Sequence, residues 1–173
     1  MNIDVAYGKD LDDSMLKQLQ YMEADACAFY DSLDSNSNPN EILIGIIPTE
    51  TFKHFKRRVS NTVFLMKTIN TKSRKKMLVA MACISKKGKT NDRYFHTVYV
   101  KPLNRNKGIG TSLVKKAISI AKKNHQHLFL GVNPLNKIAM HLYDSLGFNI
   151  CKNQSITMDF DASHKTTCKK VAK

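Results

Sequence analysis

The chain has 173 residues, 42% of them apolar, with 28 Lys and Arg against 14 Asp and Glu and a formal net charge of +14. That length suits one domain with its own core, no apolar run approaches a membrane span, and Met1-Asn2-Ile3-Asp4 lacks the basic-then-apolar layout of a secretion signal. Cys27, Cys83, Cys151 and Cys168 show no CxxC spacing, which speaks against a zinc site and for free, mostly buried thiols in a reducing intracellular setting.

Ile3–Tyr7 alternates and reads as a first strand, ended by Gly8. Asp12 or Asp13 can cap a helix whose apolar face runs Met15, Leu19, Met22, Ala26. The Ser- and Asn-rich stretch 31–40 reads as a loop, and Pro48-Thr49 introduces a second helix with Phe52, Phe55 and Val59 on one face. Three extended runs follow, 62–69, 77–85 and 93–100, laid out as an antiparallel meander that Pro102 ends.

The next helix sets Ile109, Leu113, Val114, Ala117, Ile118 and Ala121 on one face and lysines on the other. Residues 127–132 are apolar enough for a buried central strand. Asn133-Pro134 opens a further helix with Ile138, Ala139, Leu142 and Leu146 inward, closed by Gly147. Strands over 148–151 and 156–160 finish a domain spanning 1–160, leaving 161–173 as a basic, mobile tail.

Two patterns carry chemistry. The first is Arg105-Asn106-Lys107-Gly108-Ile109-Gly110, a glycine-bearing turn between a strand and a helix start. Amides at a helix start lack intrahelical partners, and the helix dipole adds partial positive charge, so phosphate or pyrophosphate is a natural ligand there. A side chain at Gly108 or Gly110 would hold the backbone away from such an anion. The turn is neither a Walker loop, since no Gly-Lys-Ser/Thr follows, nor a dinucleotide fingerprint, since Leu113 stands where a third glycine belongs. The second pattern, about thirty residues on, places Asn136, Ala139, Tyr143, Gly147 and Phe148 at fixed spacing on the following helix.

With the element order β-α-α-β-β-β-α-β-α-β-β, Arg-x-x-Gly-x-Gly and the Asn136–Phe148 pattern, the sequence resembles the GNAT superfamily of acetyl-CoA-dependent N-acetyltransferases. The resemblance implies an α/β (α+β) fold. Its sheet is mixed, mostly antiparallel, of about seven strands splayed between the fourth and fifth, and flanked by four helices. Acetyl-CoA or coenzyme A would lie in that opening as co-substrate, with no metal. Amides of Lys107, Gly108, Ile109, Gly110 and Thr111 would hold its diphosphate, with Arg105 shaping the loop or contacting the diphosphate and Asn106 counted among the coenzyme-binding residues. The amide-bearing pantetheine arm would pair with the strand edge near Val98 and Val100, and an N–H near Val98 would polarise the thioester carbonyl. Tyr143 matches the family's general acid, and its alternative is a core tyrosine beside Leu142. Asn136 is either a coenzyme contact or a first-turn polar residue. His96 occupies the strand position where some members carry a base, and its alternative is a hydrogen-bonded structural histidine. His54 and His141 read as surface residues.

Charge is split unevenly along the chain. The first 50 residues carry ten acids and two lysines, the remainder four acids and 26 bases. In the implied fold the first two helices wall the acceptor pocket, so the acceptor is expected to be a cationic amine, a polyamine or diamine. Residues 15–23 resemble the first helix of diamine acetyltransferases and single out Glu23, with Asp25, Asp31 and Asp92 as further partners for a distal ammonium. Solvated acids and dipole-favoured acids at a helix start are the plain alternative for this region. Acetylation of a protein lysine or N-terminal amine is a second reading. A nucleic-acid-binding module, drawn from the basic later part, ranks below both. No membrane partner is expected, a homodimer is left open, and the setting is cytoplasmic, a host's if the gene is viral.

Overall fold

The computed structural model describes residues 1–34, 47–151 and 157–161. The expected loop over 35–40, the start of the last strand at Ile156 and the tail beyond 161 lie outside these residues. Strands β1 (Asp4–Tyr7), β2 (Val63–Asn70), β3 (Lys76–Lys86), β4 (Arg93–Val100), β5 (His127–Gly131), β6 (Asn149–Cys151) and β7 (Thr157–Asp161) join in one sheet, ordered β1-β2-β3-β4-β5-β7-β6. All neighbours are antiparallel except β4 and β5. Helices α1 (Asp13–Asp34) and α2 (Phe52–Arg58) cover one face, and α3 (Ile109–Lys123) and α4 (Lys137–Ser145) the other. None of the described helices is long and apolar enough to cross a membrane.

The two faces follow from alternation along the central strands. In β3, Ala80, Ala82 and Ile84 point to the α3 side and Met81 and Cys83 to the α1 side, while Leu78, beyond the register shift between Lys67–Ala80 and Thr68–Leu78, also faces α1. With both faces covered, every residue from Leu78 to Ile84 is buried. Helix α3 presents Ile109, Leu113, Val114, Ala117 and Ala121 to the sheet, each larger side chain contributing about 1.5–3 kcal/mol by burial.

Local signals set the helix starts, with some corrections to the expectations. Asp12 caps α1, its carboxylate accepting from the Met15 N–H at 2.7 Å. The helix then runs through Asp34, so residues 31–34 are helical rather than loop. Thr51 caps α2, accepting from the His54 N–H at 3.4 Å. Helix α4 begins at Lys137, three residues beyond Pro134, because Asn136 supplies the cap through its carbonyl to the Ala139 N–H. Ile138 therefore falls in the first turn and is 86% exposed, not inward, while Tyr143 takes the buried position. Of the two described cysteine side chains, Cys83 is buried and Cys27 is exposed.

Strand β4 carries the feature that shapes the site. The β3–β4 register runs Ser85–Tyr94, Ile84–Phe95 and Cys83–His96, then resumes at Met81–Tyr99, so β4 holds one extra residue. Thr97 sits in this bulge with φ +52°. The extra residue flips the facing of everything after it: Phe95 packs on the α3 side, Tyr99 on the α1 side. Strands β4 and β5 pair at Arg93–Leu128 and Tyr94–Phe129 and then part.

Candidate active site

Two cavities open where β4 and β5 part. The first, of about 510 Å³, lies between the outer half of β4, the turn before α3 and the side of α4. Gly108 caps α3 in the left-handed region, φ +71°, a conformation only glycine adopts without strain. Ile109, Gly110 and Thr111 then line the cavity with first-turn amides that the helix itself cannot satisfy. An added Cβ at Gly110 would meet nothing nearer than Leu142 at 3.8 Å, so the protein itself has room for a side chain there. An anion-bearing ligand with an extended apolar arm fits this combination of helix start and open strand edge.

Arg105 lines the same cavity, and its side chain is anchored there. Its Nε donates to the Val100 carbonyl at 3.1 Å, and its guanidinium stacks 4.8 Å from the Phe29 ring and 5.8 Å from that of Tyr99. It thereby ties the turn to α1 through Phe29. Asn106 (φ +61°) lines the cavity, whereas the Lys107 ammonium turns back onto the Leu103 carbonyl at 3.0 Å.

The second cavity, of about 450 Å³, lies on the α1 side and is bounded by Cys27, Tyr30 and Asp31, by Tyr94 to Val98, and by Gly131 to Asn133. Val98, Asn136, Ala139 and Tyr143 line both cavities and form the partition between them. Burial holds the Tyr143 phenol well above its ordinary pKa, so it carries its proton at neutral pH. Burial pushes the His96 imidazole below its ordinary value, with Glu23 acting upward and Arg58 downward, so the ring is neutral. Asn136 spends its carbonyl on the α4 cap, leaving its Nδ2 as the part of the side chain that can meet a ligand.

Tyr143, His96, Val98, Val100, Asn136 and the turn residues Asn106 and Gly108 to Thr111 thus come together around the two cavities. Of the acids singled out for the acceptor, Glu23, Asp25 and Asp92 do not. Glu23 is bound by Arg58 at 2.7 Å, as is Glu50, and it lines a neighbouring cavity instead. Asp25 is 3% exposed within α1, and Asp92 lies at the β3–β4 turn, its N–H on the Thr90 hydroxyl at 3.3 Å. Asp31 is the acid that lines the second cavity. Among the described residues no group of three His, Cys, Asp or Glu side chains is placed to hold a metal.

Tyr30 belongs to neither sequence pattern, yet it shapes the site. Its phenol donates to the Val98 carbonyl at 2.9 Å across 68 residues and pins the bulge to α1. The signal for it is the apolar stripe itself, which continues from Ala26 by three and four residues to Phe29 and Tyr30.

The acetyltransferase (GNAT) family model matches residues 20–148. The chain belongs to that family. Over 55 residues it is 44% identical to the thialysine N-epsilon-acetyltransferase of Bos taurus, covering 31% of this chain and 32% of that protein. Over 54 residues it is 37% identical to the L-amino acid N-acyltransferase MnaT of Escherichia coli strain K12, covering 31% of each. These matches span about a third of the length of the curated relatives. The PaiA N-acetyltransferase of Thermoplasma acidophilum, solved in complex with coenzyme A, shares the fold. Its TM-score is 0.60 at 18% identity, over 93% of this chain and 99% of that one.

Proposed function

We propose that the protein transfers an acetyl group from acetyl-CoA to the primary amine of a small cationic acceptor, a polyamine or diamine, with both substrates bound together in the cytoplasm. The carrying observation is that two cavities, one around the start of α3 and one between α1 and the inner half of β4, share the wall formed by Val98, Asn136, Ala139 and Tyr143. Bound acetyl-CoA supplies an acyl group activated as a thioester. First-turn amides of α3 hold the anionic end, and the outer half of β4 pairs with the arm. The Val98 N–H polarises the acyl oxygen while Tyr30 holds the Val98 carbonyl in place. Tyr143, protonated at neutral pH, gives its proton to the departing sulfur. His96, neutral, receives the proton lost by the acceptor's ammonium.

The lining supports a cationic acceptor. Among the described residues no Lys or Arg borders the second cavity. Arg58, the nearby cation on this side, is occupied by Glu23 and Glu50. An acceptor carboxylate would find no cation in that described lining, whereas an ammonium finds Asp31 and aromatic faces. The test is thiol release from acetyl-CoA with spermidine, putrescine, glutamate and a basic peptide as acceptors. Spermidine or putrescine is expected to turn over fastest. Turnover confined to acceptors bearing a carboxylate would sink the cationic reading, and preference for the peptide would shift it to protein acetylation.

A further inference from the structure

His96 makes no direct opening to an incoming amine, because hydroxyls cover both ring nitrogens. Ser85 Oγ lies 2.5 Å from Nε2 and Thr97 Oγ1 lies 2.9 Å from Nδ1. Of the two hydroxyl residues, Thr97 lines the acceptor cavity, and Ser85 stands behind the ring on β3, outside both cavities. Thr97 is also the residue held at φ +52° by the bulge, a backbone state β-branched residues avoid.

The donors and acceptors can be counted. A neutral imidazole has one N–H and one lone pair, and a hydroxyl has one proton and two lone pairs. With the Nε2–H on Ser85, Thr97 gives its own proton to Nδ1 and keeps its lone pairs for a ligand; the other tautomer reverses both bonds.

We propose that the Thr97 hydroxyl is the group that meets the acceptor's ammonium, relaying its proton to Nδ1 of His96, with Ser85 as the positioning residue that fixes the ring's tautomer. In the step, an N–H bond of the ammonium breaks and an O–H bond forms on Thr97. At the same time the former Thr97 O–H breaks and Nδ1–H forms, giving a free amine and an imidazolium. The proton returns by the same path to water once the acetylated product has left. This rests on the acetyltransferase reading and on His96 as the final proton acceptor in it.

The test compares Thr97→Val, Thr97→Ser and Ser85→Ala, with spermidine as acceptor at saturating acetyl-CoA, and reads the His96 tautomer by ¹⁵N NMR of histidine-labelled protein. Thr97→Val is expected to lower kcat by about 100-fold with the KM for acetyl-CoA unchanged. Thr97→Ser should restore most of the rate, and Ser85→Ala should reduce the Nε2–H population of the neutral ring. Wild-type turnover by Thr97→Val, or a neutral wild-type ring carrying its proton on Nδ1, overturns the relay. If Thr97→Val does not fold, the Thr97→Ser rate and the wild-type tautomer still decide it. Wild-type protein that binds coenzyme A but acetylates no amine would defeat the acetyltransferase reading instead, and the tautomer would still decide whether Thr97 donates to Nδ1.

Discussion

The coenzyme-side and acceptor-side cavities are of similar size, about 510 and 450 Å³, yet they are built by different means. The first is organised around the start of α3, the glycines of its turn and the outer half of β4, with side chains of α4 along one side. The second is mostly side chains brought from α1, β4, the stretch after β5 and α4. Backbone sites tolerate change at most positions but fail wherever a Cβ intrudes. Side-chain sites fail one functional group at a time. The two halves should therefore break differently under mutation.

Tyr143 belongs to the partition and should give the largest effect. Tyr143→Phe removes one oxygen and keeps the ring that packs at 5.6 Å on Phe148. We expect kcat to fall by about 100-fold, as for loss of a general acid, with coenzyme affinity by calorimetry unchanged. Equal losses in kcat and affinity would make Tyr143 a packing residue that merely shapes the wall.

Gly110 tests the backbone half. Alanine there meets no protein atom closer than 3.8 Å, and Gly110 is not among the glycines with positive φ. Stability should hold or rise by about 0.5–1 kcal/mol, since glycine costs that much inside a helix. Coenzyme affinity should nevertheless fall by about tenfold, because the methyl occupies the space through which an anion reaches the first-turn amides. A Gly110→Ala protein with unchanged affinity for coenzyme A would place the diphosphate elsewhere.

The same contrast explains what could be read from the sequence. Residues 105–111 are contiguous, so turn, helix start and ligand-facing amides appear together as a local pattern, and the structure keeps them together. The helices and strands were legible because their periods follow from burial on one face or both. The acceptor side was not legible in the same way. Glu23 carries the right charge in the right helix, but its partner Arg58 lies 35 residues away and no local pattern announces that pairing. The bulge was equally hidden, since Phe95 and Tyr99 have the same parity in sequence yet face opposite cores. The position of α4 depended on whether Pro134 or Asn136 sets the start, and the Asn136 side-chain bond decided it.

The smallest effect separates Asp31 from Glu23. Asp31 is exposed at the rim of the acceptor cavity, so a distal ammonium there meets a charge screened by water. Such a contact is worth about 1 kcal/mol, and Asp31→Asn should raise the KM for spermidine by about fivefold at low ionic strength. Added salt should erase most of that difference, while kcat stays put because the reacting amine is not the one held. Glu23→Gln acts on something else. It releases one of two carboxylates from Arg58, whose guanidinium keeps Glu50 at 2.7 Å. A partly exposed pair of this kind is worth at most about 1 kcal/mol, so thermal stability should dip slightly and the spermidine KM should move less than for Asp31→Asn. Comparing the two variants at low and high salt checks the assignment. If Glu23→Gln has the larger and more salt-sensitive effect on KM, the ammonium is held at Glu23 and Arg58 must let go of it during turnover.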